Sequence, residues 1–319
     1  MALSLVLLQG CGGAKVSVLP LDGSFRANVA VEGKPSLLSL DTGAMCSDFY
    51  LDAAERLGLC VDEVKGRSVA LTDSSGVEKL LTKFAANVHY TLGHARCGAD
   101  YIVCLPKIAE EDSPGTIVVR TRIDGHLGMD VMQHFVFWFD APSREMRVID
   151  EDAVEDIVAG RGYRVTQRLQ LGDQANRPMV RVSLNGGAEI ELLLDTGAYS
   201  TCLPAGMAQL LSLPSGAQLE RERREAEALA ISKQLAQQGT ASVKVTVGQA
   251  NGSSVGLHGV PTGPRPLFHL RSLCLGNREV RDLVVVESAQ SPILGQDVLA
   301  KLDWILHGPR RELWLLEHR

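Results

Sequence analysis

Two aspartates in this chain occupy the same place in matching sequence patterns. Asp41 and Asp195 each follow an apolar run, at residues 38–40 and 192–194, and each is followed by Thr-Gly-Ala. Such a run predicts a buried strand, and the glycine permits a sharp turn after the acid. A single Asp-Thr-Gly triplet has chance odds on the order of one in ten in a chain of this length. Two copies in matching frames therefore indicate that the acids, costly to ionise alone in a buried place, act together.

Two further patterns recur in the same order in each half of the chain. A Leu-Gly pair is followed by Asp and three apolar residues, first at residues 92–103 and again at 275–285. Residues 125–132 then correspond to residues 291–299, and both stretches contain Leu-Gly-x-Asp followed by apolar residues. Self-similarity of this kind indicates a duplicated unit.

The combination of Asp-Thr-Gly-Ala with Leu-Gly-x-Asp resembles the aspartic peptidases, in particular the retropepsin-like branch. The resemblance covers residues 15 to 319. It implies an all-β fold with short helices, arranged as two acid-protease lobes related by a pseudo-two-fold axis. Most retropepsins build one site from two chains, whereas this chain carries both halves. The resemblance therefore implies a monomer whose self-complementary interface lies within one polypeptide.

The resemblance also implies roles for the residues of the two motifs. Asp41 and Asp195 would be the catalytic acids of an aspartic endopeptidase, sharing one proton as is established for that class. The ionised acid would take a proton from water while the protonated acid donates to the scissile carbonyl of a polypeptide substrate. This chemistry requires no metal or cofactor. The residues that would support the acids are Thr42, Gly43, Ala44, Thr196, Gly197 and Ala198.

Two alanines within the motifs affect the ionisation expected of the acids. Ala44 and Ala198 stand where pepsin-like enzymes often have a hydroxyl residue that would favour ionisation of the neighbouring carboxylate. Their presence predicts a dyad that is active nearer neutral pH. Asp130 and Asp297, which follow the Leu-Gly pairs, are predicted to be structural acids near helix N-termini.

Four segments are expected along the chain. Residues 1–14 form a signal-like segment, residues 15–150 the first lobe, residues 151–162 a linker and residues 163–319 the second lobe. Alternation and turn signals define the elements within them. The predicted strands are Val16–Leu21, Phe25–Val31, Phe135–Phe139, Glu145–Ile149, Tyr163–Leu171, Pro178–Leu184, Ile190–Asp195, Trp304–Leu306 and Glu312–Glu317, and the predicted helices are Leu51–Leu57 and Leu127–His134.

A hairpin signal spans Ser68–Leu81. It lies where a retropepsin-like lobe carries its flap, and the alternative is an ordinary surface hairpin. The second half has an insertion around Leu219–Gln238 that predicts an amphipathic helix. This helix either lies over the flap of the second lobe or replaces part of it, and the alternative is a solvated helix with no binding role. Ser242–Leu257 is the candidate for the second flap. The flap-tip candidates of the first half are Asp73, Ser74, Ser75 and Gly76.

The first residues resemble a bacterial lipoprotein signal. The apolar run at residues 2–8 leads to Leu-Gln-Gly before Cys11, which would carry the lipid and attach the protein to a membrane. The alternative is an ordinary first strand. A periplasmic or outer-membrane location follows from the signal interpretation, and a cytoplasmic one from the alternative. The other six cysteines suit disulfides in an oxidising compartment, with Cys202–Cys274 as the predicted pair, or else buried reduced thiols.

Composition narrows the class of protein. A hydrophobic content of 45% and a charged content of 22% are ordinary for a globular protein. The net charge of −6 argues against a nucleic-acid-binding surface. His94, Cys97 and Cys104 lack a convincing fourth ligand for structural zinc. Two alternatives to the peptidase remain: a non-catalytic peptide-binding protein with the same fold, and a structural lipoprotein.

Overall fold

Strands form most of the described structure, and the helices are short. The computed structural model describes residues 5–8, 16–21, 25–63, 68–72, 78–106, 123–140, 143–217, 221–222, 266–288 and 292–319. The prediction of a mostly β fold with short helices is therefore confirmed.

The strands of the first half are β1 (Leu5–Leu8), β2 (Val16–Pro20), β3 (Arg26–Val31), β4 (Lys34–Leu40), β5 (Asp48–Tyr50), β6 (Val61–Glu63), β7 (Val69–Thr72), β8 (Glu78–Leu81), β9 (Lys83–Leu92), β10 (Ala95–Leu105), β11 (Gly125–Leu127), β12 (Val136–Asp140) and β13 (Glu145–Ile149). Those of the second half are β14 (Tyr163–Gln170), β15 (Gly172–Gln174), β16 (Arg177–Leu184), β17 (Ala188–Leu194), β18 (Cys202–Pro204), β19 (Leu267–Leu275), β20 (Arg278–Ser288), β21 (Ile293–Leu294), β22 (Trp304–His307) and β23 (Glu312–His318). The helices are α1 (Leu51–Leu57), α2 (Met129–Met132), α3 (Val154–Gly160), α4 (Met207–Leu210) and α5 (Gln296–Leu299).

Two of the sheets repeat one strand order. The first runs β9-β3-β4-β11-β5-β10 and closes where β10 pairs with β9. The second runs β19-β16-β17-β21-β18-β20 and closes where β20 pairs with β19. The strand directions also agree, because β11 is parallel to β4 and antiparallel to β5, as β21 is to β17 and β18. The sequence repeat is thus accompanied by a repeat of strand order, in which β4 and β17 are equivalent.

A third sheet takes strands from both halves. Its order is β14-β23-β22-β12-β13-β2, so the hairpin β12–β13 lies beside the hairpin β22–β23. Strands β12 and β22 pair antiparallel, from Val136 opposite His307 to Phe139 opposite Trp304. Every backbone hydrogen bond between β12 and β22 joins the first half of the chain to the second. The sheet therefore holds the two repeated units together through its central pair of strands.

Aromatic side chains fill the core beneath this line of pairing. The rings of Phe139 and Trp304 are stacked with centroids 4.3 Å apart, and Phe25 meets Phe139 edge-on at 5.2 Å. Phe139 and Trp304 are almost fully buried. Such pairs add to the free energy that burial of the rings alone supplies. Because Phe25 directly precedes β3, the aromatic cluster connects the start of that strand to the sheet shared by both halves.

Both predicted helices are present, one with the predicted ends and one shorter. Helix α1 occupies Leu51–Leu57 as predicted and ends at Gly58, whose φ of 76° is left-handed. Helix α2 is shorter than predicted because Leu127 belongs to β11. The segment 151–162, expected as a linker, contains helix α3, whose Val154 and Val158 are buried against the shared sheet. Apolar spacing of three and four residues explains this helix.

The predicted disulfide between Cys202 and Cys274 is wrong. Cys202 and Cys274 do not form a disulfide, and they lie far apart on β18 and β19. Both cysteines pair with residues of β20, which gives their separation: Cys202 is opposite Val286, and Cys274 is opposite Glu279, seven residues away. At about 3.3 Å per residue the two positions are about 23 Å apart, whereas a disulfide needs Cα atoms within about 7 Å. Cys202 is instead buried as a thiol.

The start of the chain also takes part in a sheet. Leu5–Leu8 forms β1, which pairs antiparallel with β10. This pairing is what the first-strand alternative predicts for the segment, while Cys11 lies outside the described residues. Within the described ranges, no helix combines the length and the apolar character needed to cross a membrane.

Replacing Phe139 by Ala should lower the free energy of unfolding by about 3–5 kcal/mol, because a large cavity forms beside Trp304 at the junction of the two halves. Chemical denaturation measures this loss. Val18→Ala, in β2 of the same sheet and 41% exposed, is the control and should cost less than about 1 kcal/mol. Equal losses for both variants would show that the aromatic cluster does not stabilise the junction.

Candidate active site

The two predicted acids lie at the ends of equivalent strands. The last three residues of β4 and of β17 are buried, so each strand ends inside the protein. The N–H of Asp41 donates to the carbonyl of Leu127 at 2.9 Å, and the N–H of Asp195 donates to Leu294 at 3.1 Å. These bonds extend the parallel pairs β4–β11 and β17–β21 by one residue. Each acid is therefore positioned by a pair of buried strands.

Two threonines join the turns that follow the acids. The N–H of Thr42 donates to Oγ1 of Thr196 at 3.0 Å, and the N–H of Thr196 donates to Oγ1 of Thr42 at 3.0 Å. Each hydroxyl then donates across the interface, from Thr42 to the carbonyl of Leu194 at 2.6 Å and from Thr196 to that of Leu40 at 2.5 Å. Both threonines are fully buried. The four bonds are reciprocal, so the two turns hold each other in one arrangement.

The two glycines allow the turns to approach closely. A Cβ atom on Gly43 would lie 2.4 Å from Cγ of Asp195, and one on Gly197 would lie 2.5 Å from Cγ of Asp41. These distances are far inside van der Waals contact, so no other residue type fits without movement. The acids are thus each packed against the turn that carries the other.

Backbone donors orient both carboxylates. Oδ1 of Asp41 accepts from the N–H groups of Gly43 and Ala44 at 2.9 and 3.0 Å. Oδ1 of Asp195 accepts from the matching pair in its own turn at 2.8 and 3.0 Å. The arrangement leaves each acid with one oxygen held by its own turn, while its carboxyl carbon lies against the glycine of the other turn.

The pKa of each acid is raised above that of an ordinary carboxyl group. For Asp195 the main cause is burial, followed by the negative charge of Asp41. For Asp41 the main cause is again burial, partly offset by the positive charge of His126. The backbone hydrogen bonds of the turns favour ionisation of both acids but do not outweigh burial. A pair of this kind retains a proton at a pH at which exposed carboxyls have lost theirs.

Asp130 and Asp297 lie in the first turns of α2 and α5. Oδ1 of Asp130 accepts from the N–H and the hydroxyl of Ser47 at 2.8 and 2.7 Å. Asp297 makes the same two contacts with Thr201, at 3.0 and 2.7 Å. These acids connect the short helices to the chain that leaves the turns of Asp41 and Asp195. Their contacts are those of the structural role predicted for them.

Sequence reasoning missed one pair beside the acids. Nδ1 of His126 lies 2.8 Å from Oδ1 of Asp48, and both side chains are largely buried. Burial alone would lower the pKa of His126, but the charge and hydrogen bond of Asp48, with the charges of Asp41 and Asp195, raise it to about 9. The signal was present in the repeat, because Gly125-His126-Leu127 corresponds to Pro292-Ile293-Leu294.

The structure describes some of the remaining predicted features, and others lie outside the described residues. Strands β7 and β8 form the predicted hairpin, while the flap-tip candidates Asp73, Ser74, Ser75 and Gly76 lie outside the described residues, as do the second flap and most of the Leu219–Gln238 insertion. His94 bonds to Ser17 and Asp150 at 2.8 Å each. Over the described ranges, no cluster of three His, Cys, Asp or Glu side chains is suited to hold a metal ion.

The chain was compared with protein-family models and with the sequences of curated proteins. No protein-family model matches the chain, and no curated protein is detectably similar to it in sequence. The site is therefore interpreted from its own geometry.

Replacing Gly197 by Ala should destabilise the protein by about 1–3 kcal/mol, because the new methyl group overlaps the carboxyl of Asp41 and forces the turns apart. Denaturant unfolding measures the loss. Gly187→Ala is the matched control, since a Cβ there meets no atom within 4 Å, and it should change the stability by less than about 0.5 kcal/mol. A Gly197 variant as stable as the control would contradict the close approach of the turns.

Proposed function

We propose that the chain is an aspartic endopeptidase with two retropepsin-like lobes whose turns meet at a pseudo-two-fold axis. The observation that carries the proposal is the close approach of the two turns, in which the carboxyl of each acid lies against the glycine of the other turn. The reciprocal bonds of Thr42 and Thr196 hold this arrangement. The common strand order of the two closed sheets supports it, because each sheet delivers one acid from an equivalent strand.

The chemistry follows from one proton shared by two carboxyl groups. Two buried carboxyl groups that lie close together do not both ionise easily, because their negative charges repel each other. The pair therefore titrates as a unit. The ionised carboxylate takes a proton from a water molecule, and the water oxygen attacks the carbonyl carbon of the substrate. The protonated carboxyl donates to the carbonyl oxygen as the tetrahedral intermediate forms. Proton transfer to the amide nitrogen then lets the C–N bond break, which yields a new carboxyl and a new amine.

The surroundings of the acids suit an extended polypeptide. Asp41 and Asp195 both remain partly exposed as residues, although their carboxyl groups lie among protein atoms. Met45 and Tyr199 occupy equivalent positions just beyond the two turns and are 43% and 70% exposed. A substrate chain that crosses both acids would pass these apolar side chains at its two ends. They would then contribute binding energy away from the scissile bond.

Asp41→Asn should reduce peptide cleavage by at least about 1,000-fold, because an amide accepts no proton from water at any working pH. Cleavage of a peptide library by the purified protein, read by mass spectrometry, measures the effect. Asp156→Asn, an exposed acid of α3, is the matched control and should cleave like the parent chain.

The same assay separates the enzyme from a binding protein of the same fold. Inhibition by a statine-type mimic of the transition state would accompany genuine turnover. Peptide binding without cleavage by the parent chain would support the non-catalytic alternative. Cleavage that survives Asp41→Asn would remove the dyad from the reaction.

Ala44→Ser should shift the acidic limb of the pH–rate profile toward lower pH by about half a unit to one unit. A serine hydroxyl beside the carboxylate stabilises the ionised form and so lowers its pKa, whereas burial raises the pKa of both acids in the parent chain. The parent profile should accordingly be centred nearer neutral pH than that of gastric enzymes. Ala95→Ser in β10 should leave the profile unchanged. An acidic optimum in the parent chain would count against the proposal.

A further inference from the structure

At one pair of equivalent positions beside the acids, the two repeats carry side chains of different charge. On β11, His126 is opposite Asp48 of β5. At the equivalent place in the second sheet, Ile293 of β21 is opposite Cys202 of β18. The site therefore has a histidine–aspartate pair on one side and an apolar pair on the other. A symmetric dyad placed between them experiences an asymmetric field.

Strand geometry directs His126 toward Asp41. His126 is in register with Ser39 on the parallel strand β4, and Asp41 lies two residues further along. Residues two apart in a strand share a face, so these side chains lie on one side of the first closed sheet. Asp48 holds Nδ1 of His126 at 2.8 Å, and the exposed fractions of the two side chains are only 13% and 8%. The imidazole is thus fixed in place and largely shielded from water.

The titratable groups that face His126 come from several elements. They are Asp48 on β5, Asp41 after β4 and Asp195 after β17, together with Tyr50 at the end of β5, whose ring lies 6.0 Å away. Of the two acids in the dyad, Asp41 raises the pKa of His126 more than Asp195 does. In return, His126 is the strongest charged influence on Asp41, ahead of Asp48. The dyad's cationic neighbour is therefore on the side of Asp41.

We propose that the imidazolium of His126, held by Asp48, places the negative charge of the dyad on Asp41 and leaves the shared proton on Asp195. His126 is then a positioning residue, because it acts through Asp41. The inference rests on the proposed function for its consequence: Asp41 takes the proton from water, and Asp195 donates its proton to the carbonyl oxygen of the substrate. Unequal neighbours thus give two equivalent acids different roles.

Carbon-13 NMR of the aspartate carboxyl carbons in the full chain tests this assignment without any substrate. In the parent protein, the first deprotonation step of the dyad should appear mainly at the carbon of Asp41 and the second mainly at that of Asp195. In the double variant Asp48→Cys with His126→Ile, which copies the second repeat, both carbons should shift in both steps. The first step should also move up by about one pH unit, because the cation is lost.

Two single variants make the test independent of that double replacement. His126→Gln keeps a donor toward Asp48 but removes the charge, and it should behave like the double variant. His126→Lys restores a cation and should return the first step to Asp41. His269→Gln, from an exposed histidine–aspartate pair on β19 and β20, is the control and should leave the dyad unchanged.

Three outcomes would overturn the inference: equal shifts of both carbons in the parent chain, a first step located on Asp195, or a titration unaltered by loss of His126. A change in melting temperature without a change in titration would show a purely structural pair. Failure of the peptidase proposal alone gives a different result: the two carbons still titrate unequally, but the protein cleaves no peptide.

Discussion

The close contact of two turns is the constraint on which the rest of this structure depends. Thr42 and Thr196 exchange backbone and hydroxyl hydrogen bonds in a fully buried place, where an unmade bond would carry its full desolvation cost. The glycine after each threonine leaves room for the opposite carboxyl. Because both requirements are reciprocal, neither turn can move without breaking the partner's bonds. The acids are therefore held together by the same contacts that join the two halves.

The sheet shared by both halves makes that contact possible. Strands β12 and β22 pair along their length, and the ring of Phe139 on β12 stacks on that of Trp304 on β22. This junction joins the two halves at a place outside the site. Bringing the buried acids together opposes this contact, since burial raises the pKa of both and the charge of Asp41 raises that of Asp195 further. A site that is unfavourable by itself is thus stabilised by packing elsewhere, which is common where strain serves chemistry.

Duplication explains why the site is nearly symmetric, and divergence explains why it is not fully so. Asp130 with Ser47 repeats as Asp297 with Thr201, which keeps the helix contacts of the two units alike. His126 with Asp48 has no such counterpart. A buried ion pair is weak evidence for stability, because desolvation of both ions offsets their attraction. Its position beside the dyad therefore gives it a consequence for proton placement that a stabilising role alone would not require.

The sequence by itself determined the repeat, the two acids, their turns, helix α1 and most strand positions, because apolar runs, alternation and glycine are local signals. The sharing of one sheet by both halves depends on pairing between residues far apart in the chain, such as Phe139 and Trp304. The predicted Cys202–Cys274 pair was wrong because the sequence does not reveal how far apart along the sheet two cysteines lie. His126 gained its meaning only when folding placed it opposite Asp48 and beside Asp41. Tertiary structure decided these points because charge and contact act through space.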